Sequence, residues 1–253
     1  MSETTAKTTK KAVILAAGKG TRMKSDLPKV LFPVCGKPIV ERVLEALEAA
    51  GVEEFIVVVG YRGDLVRETI KPRPGLRFAE QKELLGTGHA VMSCREELEG
   101  FDGPVFVVAG DSPMLQGDTV ARLFDEYEKS GGASCVMGTV IKENPFGMGR
   151  ILRDEKGDFV GIVEEKDATD EQRKITEINM SYYLFNAPDL LASLGSLRAD
   201  NAQKEYYITD VPRVLLENGK RILALPILKD VERLGVNTLD DLKIVEDAIA
   251  AEK

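Results

Sequence analysis

The sequence contains no tryptophan, a single histidine and only three cysteines. Cys35, Cys94 and Cys135 lie far apart, and an odd, dispersed set builds neither a disulfide framework nor a zinc site. Free thiols in a reducing compartment account for them, which predicts a cytoplasmic protein. His89, being alone, has no acid–base partner that the sequence names, so no histidine chemistry is assigned to it. No apolar run is long enough to cross a membrane, and the opening MSETTAKTTK lacks the apolar segment of a signal peptide. Residues 1–10 read as a disordered tail. Basic charge is in deficit as well: 34 Lys and Arg stand against 42 Asp and Glu, for a net charge of −8. Nucleic-acid binding draws on a basic surface, so neither nucleic acid nor a membrane is an expected partner.

What is present is the composition of a globular chain: 253 residues, 43% hydrophobic and 30% charged. That length buries a substantial core, and residues 11–253 are expected to form one domain. The stretch around which the chain is organised is Ala12 to Lys29, AVILAAGKGTRMKSDLPK. Its apolar run, Ala12 to Ala17, is short and ends at Gly18, the pattern of a buried central strand. The chain then turns through Gly18-Lys19-Gly20-Thr21. Two glycines let the main chain approach a ligand, and successive amides in such a turn hold an anion. Arg22 follows at once and Lys29 comes after Pro28, so the loop offers amides, a guanidinium and an ammonium to a nucleoside triphosphate. It is not a dinucleotide fingerprint, because Met23 stands where the third glycine would be. Nor is it a P-loop, because no Gly-Lys-Ser/Thr follows at the required spacing. Locally, an ordinary tight connection with a solvated Lys and Arg fits the same residues.

The following elements alternate. Val40, Val43, Leu44 and Leu47 share one helical face between Pro38 and Gly51. Phe55 to Val59 is a second buried strand. Asp64 is expected to cap a short helix through Ile70, and Leu76 to Ala79 reads as a strand. One helix is expected from about His89 to Leu98. Val105 to Ala109 is a third apolar strand that runs into Gly110-Asp111. Asp118 is expected to cap a helix ended by Gly131-Gly132, and Ala133 to Ile141 reads as a strand. The order implies an α/β fold with a mostly parallel, Rossmann-like sheet covered on both faces. From Asn144 the pattern changes to a hairpin about Glu155-Lys156-Gly157-Asp158, so a β-rich insertion is expected over about 142–210. Met180 to Phe185 is a strand, Asn201 to Asn218 is expected to open and form a helix, and Ile222 to Ile227 is the final strand. A capping-box-like Thr238-Leu239-Asp240-Asp241 starts the last helix.

Leu15-Ala16-Ala17-Gly18-Lys19-Gly20-Thr21-Arg22-Met23 with Pro28-Lys29 closely resembles the signature of sugar-1-phosphate nucleotidyltransferases. The short step from Met23 to Lys29 is most similar to the bacterial N-acetylglucosamine-1-phosphate uridyltransferases. Glu164-Glu165-Lys166-Asp167-Ala168-Thr169, Glu177-Ile178-Asn179 and Asn201-Ala202-Gln203-Lys204-Glu205-Tyr206-Tyr207-Ile208-Thr209-Asp210 extend the resemblance over nearly the whole chain. It implies that Arg22 and Lys29 are catalytic cations and that Ala17, Gly18 and Gly20 hold substrate. It also implies a uracil site at Gln81, Gly86 and Thr87, and a sugar site at Gly149, Glu164, Asn179 and Thr209. Asp111 and Asn237 would be the protein ligands of a Mg²⁺ cofactor. The implied reaction makes UDP-N-acetylglucosamine and pyrophosphate from UTP and N-acetylglucosamine 1-phosphate. A related transferase for another sugar or base, or a non-catalytic subunit on the same fold, are the alternatives. A homo-oligomer is compatible with the sequence. Bifunctional members continue into a β-helix acetyltransferase domain of hexapeptide repeats. This chain reaches Lys253 without one, so no acetyltransferase activity is expected from it.

Overall fold

The structure, a computed structural model, describes residues 9–251. Most of the expected N-terminal tail, residues 1–8, lies outside the described residues. Lys10 already belongs to the fold, its carbonyl accepting from the amides of Glu53 and Glu54.

The strands are β1 (Lys11–Ala16), β2 (Pro33–Val34), β3 (Lys37–Pro38), β4 (Glu54–Val59), β5 (Leu76–Glu80), β6 (Pro104–Ala109), β7 (Cys135–Ile141), β8 (Gly149–Arg153), β9 (Phe159–Val163), β10 (Glu177–Asn186) and β11 (Ile222–Leu225). The helices are α1 (Ile39–Ala49), α2 (Gly63–Thr69), α3 (Thr87–Met92), α4 (Arg95–Leu98), α5 (Gly117–Ser130), α6 (Asp170–Arg173), α7 (Ala187–Leu194), α8 (Val211–Glu217) and α9 (Leu239–Ala251). The main sheet runs β11-β7-β10-β6-β1-β4-β5, with β8 and β9 attached beside β10. Along that path the strands are parallel except for β10, which runs antiparallel to both its neighbours.

The apolar runs dictate this arrangement. Ala12, Ile14 and Ala16 of β1 pack on one side with Val43, Leu47 and Phe124 of α1 and α5. Val13 packs on the other side with Val91, Leu190 and Val211 of α3, α7 and α8. A strand that is apolar at every position has two faces to bury, and each fully buried side chain contributes roughly 1.5–3 kcal/mol. A third, smaller cluster joins Met23, Phe32, Val34 and Met114 to Val236 and to Val245 of α9. It carries the chain's C-terminal part back to the loop that follows β1.

β10 has an irregularity with consequences. Its register on β7 shifts between Asn179 and Tyr182, and Ser181 adopts a left-handed backbone, φ 57°. Before this bulge the free edge of β10 pairs with β8, through Ile178↔Arg150 and Asn179↔Gly149. After it, the same edge pairs with β6, from Tyr183↔Val107 to Asn186↔Pro104. The bulge thus hands one strand from the parallel sheet to the β8–β9 arm, the re-aiming that bulges perform.

Four local expectations differ from the structure. Helix His89–Leu98 is two helices: the Ser93 hydroxyl donates back to the His89 carbonyl at 3.1 Å, where α3 ends. The helix expected from Asn201 begins only at Val211. Asn201 Oδ1 instead accepts from the amides of Gln203 and Glu205, closing a turn. Neither Asp64 nor Asp118 caps its helix, each lying within the first turn. α7 was not foreseen, although Asn186 caps it by accepting from the amide of Asp189 at 3.2 Å and a proline sits in its first turn.

Away from the carboxyl edge, α1 is pinned by Glu41, which is 2% exposed. It accepts from the amide of Lys71 at 2.6 Å and from Arg73 Nη2 at 2.5 Å. Removing one partner of a buried pair costs about 3–5 kcal/mol. Glu41→Ala is therefore expected to lose about that much stability in urea titration, and a loss below 1 kcal/mol would contradict the role given to this pair.

Candidate active site

The strand order reverses at β1: β4 and β5 lie on one side and β6 returns to the other. In α/β sheets ligands gather at such a switch point, outside the carboxyl ends of the strands. There the loops after β1 and β6 stand side by side, with the Gly110 amide donating to the Leu15 carbonyl at 2.9 Å. A Cβ on Gly110 would stand 3.0 Å from that carbonyl oxygen.

A cleft of about 430 Å³ opens at this edge and is lined by Ala17, Gly18, Gly20, Arg22, Lys29, Gln81, Gly86, Thr87 and Asp111. A second recess of about 220 Å³ is lined by Lys29, Asp111, Gly149, Glu164, Asn179 and Asn237. Lys29, Ala109 and Asp111 border both. Thr209 lines neither, but its hydroxyl bonds to Glu164. The residues named from the sequence thus fall into two adjoining groups meeting at one lysine and one aspartate.

That junction is tightly bonded. Lys29 Nζ contacts Asp111 Oδ2 at 2.5 Å and donates to Asn237 Oδ1 at 2.9 Å. Arg22 Nη2 donates to the same Asn237 oxygen at 2.7 Å. Lys29 is not a loose loop residue: it starts a helical turn, Lys29–Leu31, and is 9% exposed. Its stem lies under Gly20, where a Cβ would come within 2.5 Å of Lys29 Cβ, and Gly20 itself has φ 66°. Asn237 is delivered by two anchors. Glu232, 1% exposed, accepts from the Thr119 hydroxyl at 2.7 Å and from the amides of Gln116 and Lys229, tying its segment to the start of α5. Asp241 accepts from the amides of Asn237 and Thr238, both at 2.8 Å, and Thr238 Oγ1 accepts from the Asp241 amide. This is the reciprocal box expected for α9. Burial raises the Glu232 carboxyl above the usual carboxylate range, against those hydrogen bonds.

Asp111 and Asn237 thus aim hard oxygen donors at one cation, the Lys29 ammonium. Among the described residues no group of three or more His, Cys, Asp or Glu is placed to hold a metal ion. One carboxylate and one amide nevertheless suit magnesium, which takes few protein ligands and completes its shell with phosphate oxygens and water.

In the second recess the Glu164 carboxylate lies over Gly149, where a Cβ would stand 3.3 Å from Glu164 Oε1. Burial pushes the Glu164 carboxyl above its ordinary range, opposed by its bond to Thr209. Asn179 Oδ1 accepts from the Ser181 amide at 3.1 Å, so this side chain also braces the bulge. Two residues that sequence reasoning passed over hold the walls together. Arg150, 2% exposed, donates to Glu165 Oε2 at 2.7 Å and to the carbonyls of Met148 and Arg173. Glu165 Oε2 accepts from the Gly147 amide at 3.2 Å. A charged residue inside Gly149-Arg150-Ile151-Leu152, in a strand otherwise set for burial, was the available signal.

In the first cleft, Gly86 and Gly88 both lie close against the backbone of Tyr206. Tyr206 N donates to Leu85 O at 2.8 Å and Gly88 N to Tyr206 O at 2.7 Å. A Cβ at Gly86, φ 106°, would meet Tyr206 O at 2.6 Å. Thr87 Oγ1 accepts from the Ile208 amide at 3.0 Å and so closes the same seam.

Comparison with known proteins agrees with this architecture. Residues 12–205 match the MobA-like NTP transferase domain, and the chain belongs to that family. It is 48% identical over 225 residues to the bifunctional protein GlmU of Carboxydothermus hydrogenoformans, a match covering 89% of this chain and 49% of that protein. It is 42% identical over 238 residues to bifunctional protein GlmU of Streptococcus thermophilus, covering 94% of this chain and 51% of the relative. The chain therefore spans about half the length of the curated relatives it matches. In fold it is similar to an apo UDP-glucose pyrophosphorylase (TM-score 0.81, 18% identity, 96% of this chain and 99% of that one). A UDP-glucose pyrophosphorylase complexed with UDP-glucose gives a TM-score of 0.76 at 21% identity, over 97% of this chain and 100% of that one. The nucleotide-sugar transferase fold is thus shown. No helix among the described residues is long and apolar enough to cross a membrane.

A side chain at Gly20 tests the junction. Gly20→Ala is expected to lose about 1–2 kcal/mol for the left-handed backbone, read by denaturation. It is also expected to displace Lys29 from Asp111, and a crystal structure of the variant with that contact intact would contradict the packing argument.

Proposed function

We propose that this domain makes UDP-N-acetylglucosamine and pyrophosphate from UTP and N-acetylglucosamine 1-phosphate. The observation that carries the reading is the meeting of two recesses at Lys29 and Asp111, with Arg22 and Asn237 beside them. A nucleotidyl transfer needs two ligands on either side of one phosphorus, with cations between them. The similarity to GlmU proteins supports the choice of sugar and base.

In this reading the triphosphate lies along Ala17, Gly18 and Gly20, with its base toward Gln81, Gly86 and Thr87. The sugar lies over Gly149, between Glu164 and Asn179, whose carboxylate and amide suit vicinal hydroxyls. Thr209 holds Glu164 in place. An oxygen of the sugar phosphate attacks the α-phosphorus while the bond to the bridging oxygen of pyrophosphate breaks. The attacking oxygen is already ionised at neutral pH, so no protein base is required. Arg22 and Lys29 orient the phosphates and balance the charge that moves onto pyrophosphate; catalysis is positioning plus electrostatics. Asp111 and Asn237 would hold Mg²⁺, which supplies further charge neutralisation on the phosphate oxygens when bound.

Pyrophosphate release across a matrix of nucleoside triphosphates and sugar 1-phosphates tests the substrates. UTP with N-acetylglucosamine 1-phosphate is expected to give the highest kcat/KM; a clear preference for dTTP or for glucose 1-phosphate would sink the assignment.

The metal assignment has its own test. EDTA is expected to abolish turnover and Mg²⁺ to restore it. Asp111→Ala is expected to lower kcat about 10²-fold or more, and Asn237→Ala less, because it removes a neutral ligand. Acting through one ion, the two should combine well short of additively. Full additivity in the double variant, at saturating Mg²⁺, would show that they do not share a metal.

A further inference from the structure

The one histidine of the chain sits where the proposed base site is held. Gln81 follows β5 at the carboxyl edge, is 4% exposed, and lines the first cleft. Its amide nitrogen Nε2 donates to the Gly86 carbonyl at 3.0 Å and lies 3.2 Å from His89 Nδ1. The contact with Gly86 decides which end of the amide is which. A carbonyl oxygen only accepts, so the atom facing it is the nitrogen and not Oε1. That nitrogen carries two hydrogens. One serves Gly86; the other is directed at His89 Nδ1, which must then be the unprotonated, accepting nitrogen of the ring. Both amide hydrogens are consumed within the protein, and among the described residues no donor reaches Gln81 Oε1.

We propose that His89 is a positioning residue that, as the Nε2–H tautomer, locks the Gln81 amide with its carbonyl oxygen toward the cleft. The proposal rests on the reading of the first cleft as the site of the nucleotide base. A fixed acceptor selects a base that presents an N–H at that point. Uracil does so with its imide N3–H; cytosine presents a lone pair at the same ring position, so two acceptors would oppose each other. Without an acceptor at His89, one amide hydrogen is left unpaired in a buried place. The amide is then held by the Gly86 carbonyl alone; rocking about that bond lets the freed N–H turn toward the cleft, where it competes with Oε1 for the base. His89 thereby sets base selectivity without touching the base. It is itself held by α3, whose start is fastened to the Tyr206 backbone through Gly88.

Because the chain has one histidine, the ring can be observed directly in the untagged, ¹⁵N-labelled protein. Long-range ¹H–¹⁵N correlation is expected to report a single neutral tautomer at alkaline pH, protonated at Nε2. A ring protonated at Nδ1, or a mixture of the two, overturns the proposal. The second arm is kinetic. His89→Leu removes the acceptor, and His89→Asn returns an oxygen close to the position of Nδ1. For His89→Leu the ratio of kcat/KM for UTP over CTP is expected to fall about tenfold or more, through KM for UTP and not through kcat. His89→Asn is expected to recover most of that ratio. A His89→Leu enzyme with the wild-type ratio, or a His89→Asn enzyme as unselective as His89→Leu, overturns the proposal. Failure of the substrate reading is seen separately, as a wild-type enzyme without preference for UTP; the tautomer measurement then decides the positioning role on its own.

Discussion

A single ammonium group sets the geometry of the carboxyl edge. Lys29 Nζ bridges Asp111, at the tip of β6, and Asn237, before α9, while Arg22 donates to the same Asn237 oxygen. These groups come from the loop after β1, the loop after β6 and the chain's C-terminal part. Without the lysine, a carboxylate and a guanidinium-bonded amide would have no common partner. Its stem is buried and its head reaches a carboxylate whose side chain is 32% exposed, so the charge remains within reach of water and ligand. A lysine in this setting keeps its position through packing and its reactivity through access, the division that long cationic side chains permit.

The demand on Gly20 follows from that lysine. Only a residue without Cβ, in a left-handed backbone, lets the loop lie directly on the Lys29 stem. Gly86 answers to a different neighbour, the Tyr206 carbonyl, and Gly149 to the Glu164 carboxylate. Three glycines that look alike in a sequence motif therefore serve three distinct close approaches. The second recess owes its place to the bulge of β10, because Asn179 lies where that strand leaves β8 and joins β6.

The parallel core was legible because strands buried on both faces must be continuously apolar, and β1, β4 and β6 are. The helix faces of α1 and α5 were legible from their period. α7 carried an Asn cap and an early proline that pattern reading passed over, and α3 and α4 were merged because no glycine or proline marks the break at Ser93–Cys94. The residues that the family resemblance singled out are brought to one edge of the sheet, but the bonds among them were not legible. Arg22 and Asn237 are 215 positions apart, and local periodicity says nothing about their meeting. Nor does it say that residues 205–208 lie along 85–88, which is why a helix was expected where a non-helical segment lies against the first cleft. His89 was set aside for want of a partner in sequence, and its partner, Gln81, became visible only when β5 and α3 were placed together.

Burying a polar side chain costs free energy unless its bonds are made inside, so the positions where a chain does this mark what it must hold still. Here most of the buried polar residues border or brace the carboxyl edge, while Glu41 pins α1 away from it. Lys29, Gln81, Asn179 and Thr209 border or brace the two recesses; Arg150 joins the walls of the second; Thr119 and Glu232 fasten the segment that carries Asn237. Apolar packing sets the sheet and its helices to within a side chain's adaptability, but it has no directional preference of its own. Hydrogen bonds supply the direction. The core of this domain therefore provides a rigid edge, and the buried polar bonds on that edge decide which atoms face the ligand.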